Sequence, residues 1–148
     1  MKSNKSIRNI CIAAIKRSVS KPNDFLLTKM FETERLSEIL DSPVRLANID
    51  ENELPISQTV IDKKNWTLVT TRQIISCIDG ATKAASAANV KSSNWNDFKG
   101  YSNTSFTIGE LETNTGTSIG IFIETGKASM ITVHAIMTLV KLTKSGQS

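Results

Sequence analysis

"TSIGIFIETGKASMITVHAIMTLVKL", residues 117–142, decides how the chain is to be read. Its first half alternates, with Thr117, Ile119, Ile121 and Ile123 on one face and Ser118, Gly120, Phe122 and Glu124 on the other, the period of a strand whose isoleucines meet the core. The second half changes period. Met130, Ile131, Val133, Ala135, Ile136, Met137, Leu139, Val140 and Leu142 cover most of a helical circumference and leave His134, Thr138 and Lys141 as a narrow polar stripe. A largely buried helix is therefore expected over 128–142. Between the halves, Gly126-Lys127 imitates a phosphate-binding loop, G-x-x-x-x-G-K-[ST]. The imitation fails on spacing: Gly120 lies six positions before Gly126, Ala128 separates Lys127 from Ser129, and the intervening residues are strand-like. The pair instead predicts a strand-to-helix corner, with Gly126 turning the chain and Thr125 or Ser129 capping the helix.

Working outward, "SFTIGELE" precedes this strand, and Thr113-Asn114-Thr115-Gly116 between them reads as a hairpin turn with glycine at the position of positive φ. Gly109 and Gly120 suit a bend, a bulge or a close backbone approach. Further upstream, "PISQTVID" (55–62), "NWTLVTT" (65–71) and "RQIISCIDG" (72–80) are β-branched runs, separated by a tight turn at Thr70-Thr71-Arg72 and closed by Asp79-Gly80. Trp66 opens an alternating strand and is assigned to the core. Residues 81–103 carry no clear period, so a short helix over Ala81 to Ala88 competes there with a strand near Asn89 to Ser93. At the N-terminus Ile7, Ile10, Cys11, Ala14 and Ile15 recur at helical spacing, with Arg8, Asn9, Lys16 and Arg17 on the polar face. Lys21-Pro22-Asn23-Asp24 ends that helix and offers Asn23 or Asp24 as the cap of another, "FLLTKMF". "TERLSEIL" continues helically to Asp41-Ser42-Pro43, so residues 1–42 are expected to form two or three short helices.

The 148 residues, 39% apolar and 22% charged, form one domain, 1–148, of ordinary globular composition. The apolar run Ile10 to Ile15 is too short for a membrane span and is closed by Lys16-Arg17, unlike a secretion signal. Two cysteines, Cys11 and Cys77, read as buried free thiols in a reducing, cytoplasmic protein. The net charge of +4 divides unevenly: six Lys/Arg and no acid in residues 1–21, nine Asp/Glu against three Lys/Arg in 22–62, and dispersed charge thereafter. Adjacent basic and acidic blocks argue against a nucleic-acid surface, which concentrates cation on one face.

Residues with catalytic chemistry are sparse. His134 is the single histidine and sits in no nucleophile context, which favours a solvated or hydrogen-bonded side chain over a general base. No metal or cofactor is expected from the cysteine and histidine spacing. Asp50, Glu51 and Glu53, and Glu110 with Glu112, are carboxylate clusters that solvation accounts for. The stretch "NWNDFKGY" sets Trp95, Phe98 and Tyr101 among Asp97, Lys99 and asparagines, a mixture that binding surfaces use. The competing account has Trp95 and Phe98 plug the open end of a small β core.

"NWTLVTTRQIIS" resembles the strand-turn-strand of bacterial pleckstrin-homology-like domains, and "SFTIGELETNTGTSIGIFIETGKASMITVHAIMTLVKL" resembles their last hairpin and closing helix. The likeness covers residues 55–142. It implies an α+β fold in which a strongly bent antiparallel sheet or barrel, 55–126, is closed by the helix at 128–142, with the N-terminal helices as an addition. It also implies a binding module without catalysis. The expected function is therefore non-enzymatic protein binding, as in a small cytoplasmic inhibitor of the toxin-immunity kind that occludes a cognate toxin's active site. Trp95, Asp97, Phe98, Lys99, Tyr101, Asp50, Glu51 and Glu53 are the candidate contact residues. The alternatives are a membrane-surface or nucleic-acid module using the basic N-terminal helix, and a small enzyme using His134.

Overall fold

The strand at 118–124 ends where its last carboxylate is needed elsewhere, and the chain turns at once. In the computed structural model, which describes residues 2–32, 49–50 and 52–145, Gly126 adopts φ 82°. A 3₁₀ turn, Gly126–Ala128, then leads into a helix, Ser129–Ser145. The corner is made as expected but held differently. Ser129 Oγ donates back to the Gly126 carbonyl at 2.5 Å and Thr125 Oγ1 donates to the Thr104 carbonyl at 2.5 Å, so neither hydroxyl is seen capping a helical N–H.

In chain order the elements are α1 (Asn4–Ser18), β1 (Thr28–Met30), β2 (Pro55–Asp62), β3 (Asn65–Thr70), β4 (Gln73–Ile78), β5 (Ala81–Ser86), β6 (Val90–Asn94), β7 (Phe106–Thr113), β8 (Ser118–Glu124) and α2 (Ser129–Ser145). The protein is thus α+β with antiparallel sheets. The strands divide between a five-stranded sheet, β1-β2-β3-β4-β5, and a three-stranded sheet, β6-β7-β8, and among the described residues no closed barrel forms. Local chemistry explains the hairpins. Thr70 Oγ1 accepts from the N–H groups of Arg72 and Gln73, both at 3.2 Å, which closes the β3–β4 corner. Asp79 and Gly80 both take positive φ, the conformation that matches the twist of a two-residue hairpin, between β4 and β5. Gly116, at φ 84°, donates to the Thr113 carbonyl at 3.0 Å in the β7–β8 turn.

One core collects Ile7, Cys11 and Ile15 from α1, Val69 and Ile74 from the large sheet, Ile119, Ile121 and Ile123 from β8, and Ile131, Ile136 and Leu139 from α2. A second lies on the opposite face of the five-stranded sheet, where Phe31, Trp66, Leu68, Ile75 and Cys77 are buried together. Strands β3 and β4 are therefore covered on both faces, which is why they read as nearly continuous apolar runs.

Three expectations are corrected. "FLLTKMF" begins no helix: Thr28–Met30 is an edge strand registered on Thr59 to Ser57 of β2, and Phe31 N–H bonds the Ile56 carbonyl at 2.9 Å. Asn23, the expected cap, instead spends its amide on Met30 N–H and on Glu32. Sheet pairing overrides the local preference of a short apolar run. "TERLSEIL" lies outside the described residues. Ala81–Ser86 is likewise strand β5, zipped residue by residue to β4 from Ile78↔Ala81 to Gln73↔Ser86; the Asp79-Gly80 turn returns the chain onto β4, and alanines offer no side-chain period to announce it. The strand expected near Asn89 to Ser93 is β6. Arg8, finally, is buried on the helix face turned inward, where Nε donates to the Pro55 carbonyl at 3.2 Å and Nη2 to the Phe31 carbonyl at 2.5 Å. A guanidinium has enough donors to satisfy carbonyls where strands end beneath a helix.

The glycines of the last hairpin mark close approach. A Cβ on Gly109 would stand 2.8 Å from Ile123 Cδ1 and 2.9 Å from the Asn94 carbonyl oxygen, and one on Gly120 would stand 2.9 Å from Ile78 Cδ1. Gly109→Ala is therefore expected to destabilise the fold by about 1–3 kcal/mol through overpacking, measured by urea denaturation. Unchanged stability in that variant would show that β6 and β8 have room the structure denies them.

Candidate functional site

Strand β6 sits at the end of the three-stranded sheet, bonded among the described strands to β7 alone. Its register slips between Val90 and Ser92, a bulge that re-aims Lys91. Val90 points into the core, and Ser93 follows on the same side opposite buried Leu111. Because Ser93 is small, the space between β6 and α2 is not filled. The result is a groove of about 270 Å³ with Val90 to Ser93 and Trp95 along one wall and Ile136, Met137, Val140 and Lys141 along the other. Ile136 is buried as the floor, whereas Met137 is 53% exposed. The groove thus joins a sheet edge, which no other strand among the described residues extends, to an apolar helix flank.

The residues singled out by sequence fall into two groups that the structure ties to different corners. Trp95 and Phe98 are half-buried and pack against the main core. Trp95 also forms part of the groove wall. The loop after it is anchored on the β8–α2 corner by Gly126 N–H bonding the Phe98 carbonyl at 2.9 Å. The Asp97 carboxylate accepts N–H groups of Ser102 at 2.9 Å and Tyr101 at 3.1 Å. These bonds, Ser102 first, hold its pKa below the ordinary carboxylate value. Lys99 Nζ stands 5.9 Å from the Phe98 ring centroid, and Tyr101 projects into solvent, 81% exposed.

The second group is bound to the β3–β4 corner. Glu53 is 2% exposed, and its carboxylate accepts Thr70 Oγ1 at 2.5 Å, Gln73 Nε2 at 2.8 and 3.1 Å, and Asp50 N–H at 3.1 Å. It fastens one segment to another and presents nothing to a partner. Asp50 is exposed, and Glu51 lies outside the described residues. His134 Nε2 lies 3.0 Å from Ser18 Oγ, joining α2 to α1. Among the described residues no three His, Cys, Asp or Glu side chains gather as metal ligands, and no helix is long and apolar enough to cross a membrane. On α1 the cations Lys5, Lys16 and Arg17 are exposed, while buried Arg8 is withdrawn from that face.

No protein-family model, curated protein or solved structure matches this chain.

Lys91, Ser92, Ser93, Met137 and Lys141 were not among the residues singled out by sequence. The wheel of α2 placed Met137 in the apolar circumference, and the only available signal was that this circumference was wider than one core contact requires. Edge status, by contrast, is a property of the assembled sheet.

Two outcomes follow from the buried groups. Glu53→Ala removes the buried acceptor shared by Thr70 Oγ1, Gln73 Nε2 and Asp50 N–H and is expected to cost about 1–3 kcal/mol, read by thermal or urea denaturation; a stable variant would return Glu53 to the surface. Burial raises the Cys11 thiol from 9.0 to about 12. The folded chain keeps a proton that the unfolded chain releases, so this contribution to stability is full below pH 9 and is lost as pH rises toward 12. Iodoacetamide at pH 8 should therefore modify Cys11 only after denaturant is added, as peptide mass spectrometry would show.

Proposed function

We propose that this chain is a non-enzymatic protein-binding module whose groove between β6 and α2 seats an extended segment of its partner. One observation carries the reading: half-exposed Met137 stands beside a strand edge that no other strand among the described residues takes up. An added strand would gain backbone hydrogen bonds from β6, and its alternate side chains would reach Met137, Val140 and Trp95. Trp95 is already braced by the core, so it offers contact area at little entropic cost.

The strand order supports the pleckstrin-like expectation at the level of connectivity. Four consecutive antiparallel strands, β2 to β5, precede a three-stranded meander, β6 to β8, and then α2. In this reading α1 and β1 are additions. A dedicated cytoplasmic inhibitor, acting as immunity proteins act on a cognate toxin, is the specific form of the proposal. Its partner would lose activity when the groove and the exposed Tyr101 loop cover the partner's active site.

The test is hydrogen–deuterium exchange on the complex recovered from the native host. Amides of 90–94 and 136–141 should slow by about tenfold or more on binding. Met137→Asp should abolish the complex while leaving the melting temperature within about 2 °C, as expected for an exposed position. Protection confined to the outer face of α1, or binding to anionic vesicles lost on Lys16→Glu with Arg17→Glu, would move the function to the basic helix.

A further inference from the structure

Among the described residues the groove carries one sign of charge: its two ionisable lining residues are Lys91 at the start of the strand wall and Lys141 on the helix wall, and no described carboxylate lines it. Lys144, also exposed, continues the same strip one turn beyond Val140. Lys91 Nζ stands 3.9 Å from Glu112 Oε1, with the two side chains 65% and 47% exposed. Such a surface pair is weak and easily exchanged. Glu110 and Glu112 stand opposite Asn94 and Ser92 on β6, whereas the groove-facing register is Ser93 opposite Leu111. Both glutamates therefore lie on the sheet face turned away from α2.

Resting on the protein-binding reading above, we infer that the occupant is an acidic extended segment of another protein, with an apolar side chain and a carboxylate two residues apart on the groove-facing side. The spacing follows from the two walls. Met137 to Lys141 spans about 6 Å along a helix, and two residues of a strand span about 6.7 Å. A side chain seated on Met137 and Trp95 thus places the same-face carboxylate of its second neighbour beside Lys141. Lys91 also lines the groove, but its ammonium stands beside Glu112 on the outer face, so Lys141 is the cation that fixes the segment.

A second copy of this chain is the competing occupant, and charge argues against it. Pairing two β6 edges antiparallel would bring Lys91 and Lys141 of both copies into one strip, and a lysine on an edge strand is a common device against self-pairing. Acidic partners, in contrast, gain both contact energy and faster encounter from a protein of net charge +4.

The experiment uses the full chain and random dodecamer peptides displayed on phage. Enriched peptides are synthesised, and their sites are mapped by amide and methyl chemical-shift changes. Peptides carrying an apolar residue two positions from Asp or Glu should be enriched and should shift the amides of 90–94 and the Met137 methyl. Lys141→Glu should weaken such peptides by about tenfold, and exchanging the peptide carboxylate for lysine should restore binding to that variant. Peptides that fill the groove without acidic residues, and are indifferent to Lys141→Glu, would overturn the acidic assignment while leaving the groove as the binding site. Selected peptides that shift only other surfaces, or no enrichment at all, would overturn both. A concentration-dependent dimer blocked by Met137→Asp would assign the groove to a second copy.

Discussion

Strand β8 is an edge strand that is not allowed to face water. It ends the three-stranded sheet, yet Ile121, Phe122, Ile123 and Glu124 are all buried, because its far side lies on the five-stranded sheet. The N–H of Phe122 therefore has to find a partner without a neighbouring strand. The Thr67 hydroxyl of β3 accepts it at 2.8 Å and is itself 2.6 Å from Ser76 Oγ of β4. A buried orphan donor costs about as much as the net gain from one or two good hydrogen bonds. This pair of hydroxyls is consequently what makes the junction between the sheets tolerable. Threonine and serine interrupt the apolar runs of β3 and β4 at the positions where β8 crosses them.

Once β8 is used in this way, the location of the free edge follows. A three-stranded sheet has two edges; burying β8 leaves β6 as the other, and α2, which starts one turn after β8, is directed back alongside it. The groove is thus a product of topology and of the small side chain at Ser93. The edges of the larger sheet are less inviting. β1 is three residues long, and exposed β5 carries Lys83 among alanines, with little for a partner's side chains to grip.

How much of this could be read beforehand depends on whether a segment's partner is local. The isoleucine alternation of β8 and the wheel of α2 announce themselves because burial selects the side chains directly. The turns at 70–72, 79–80 and 113–116 are written in threonine, aspartate and glycine chemistry. β5 was illegible because alanine fits helix and strand alike, and only Asp79-Gly80 discriminated. β1 was illegible because its conformation is set by β2 and by Glu124, far along the chain. Arg8 misled because a cation at a helical polar position is ordinarily solvated. Of the candidate site, the aromatic loop was visible as composition, and Trp95 belongs to the groove; the rest depends on strand order.

Glu124 is the residue whose placement reaches furthest. Its two carboxylate oxygens accept Leu27 N–H at 3.0 Å and Leu26 N–H at 3.3 Å, serving in place of a strand for a segment 97 and 98 residues earlier in sequence. Together with the Ser18 to His134 contact, this closes the first part of the chain onto the last. Loops of that length close slowly, since their entropy is lost before any contact rewards it. During synthesis the β2–β5 meander can zip as it emerges, but the clasp has no acceptor until residue 124 has left the ribosome. Vectorial synthesis therefore lets β1 and Arg8 dock on β2 early, but leaves Leu26, Leu27 and the end of α1 without their tethers until Glu124 and His134 have been made.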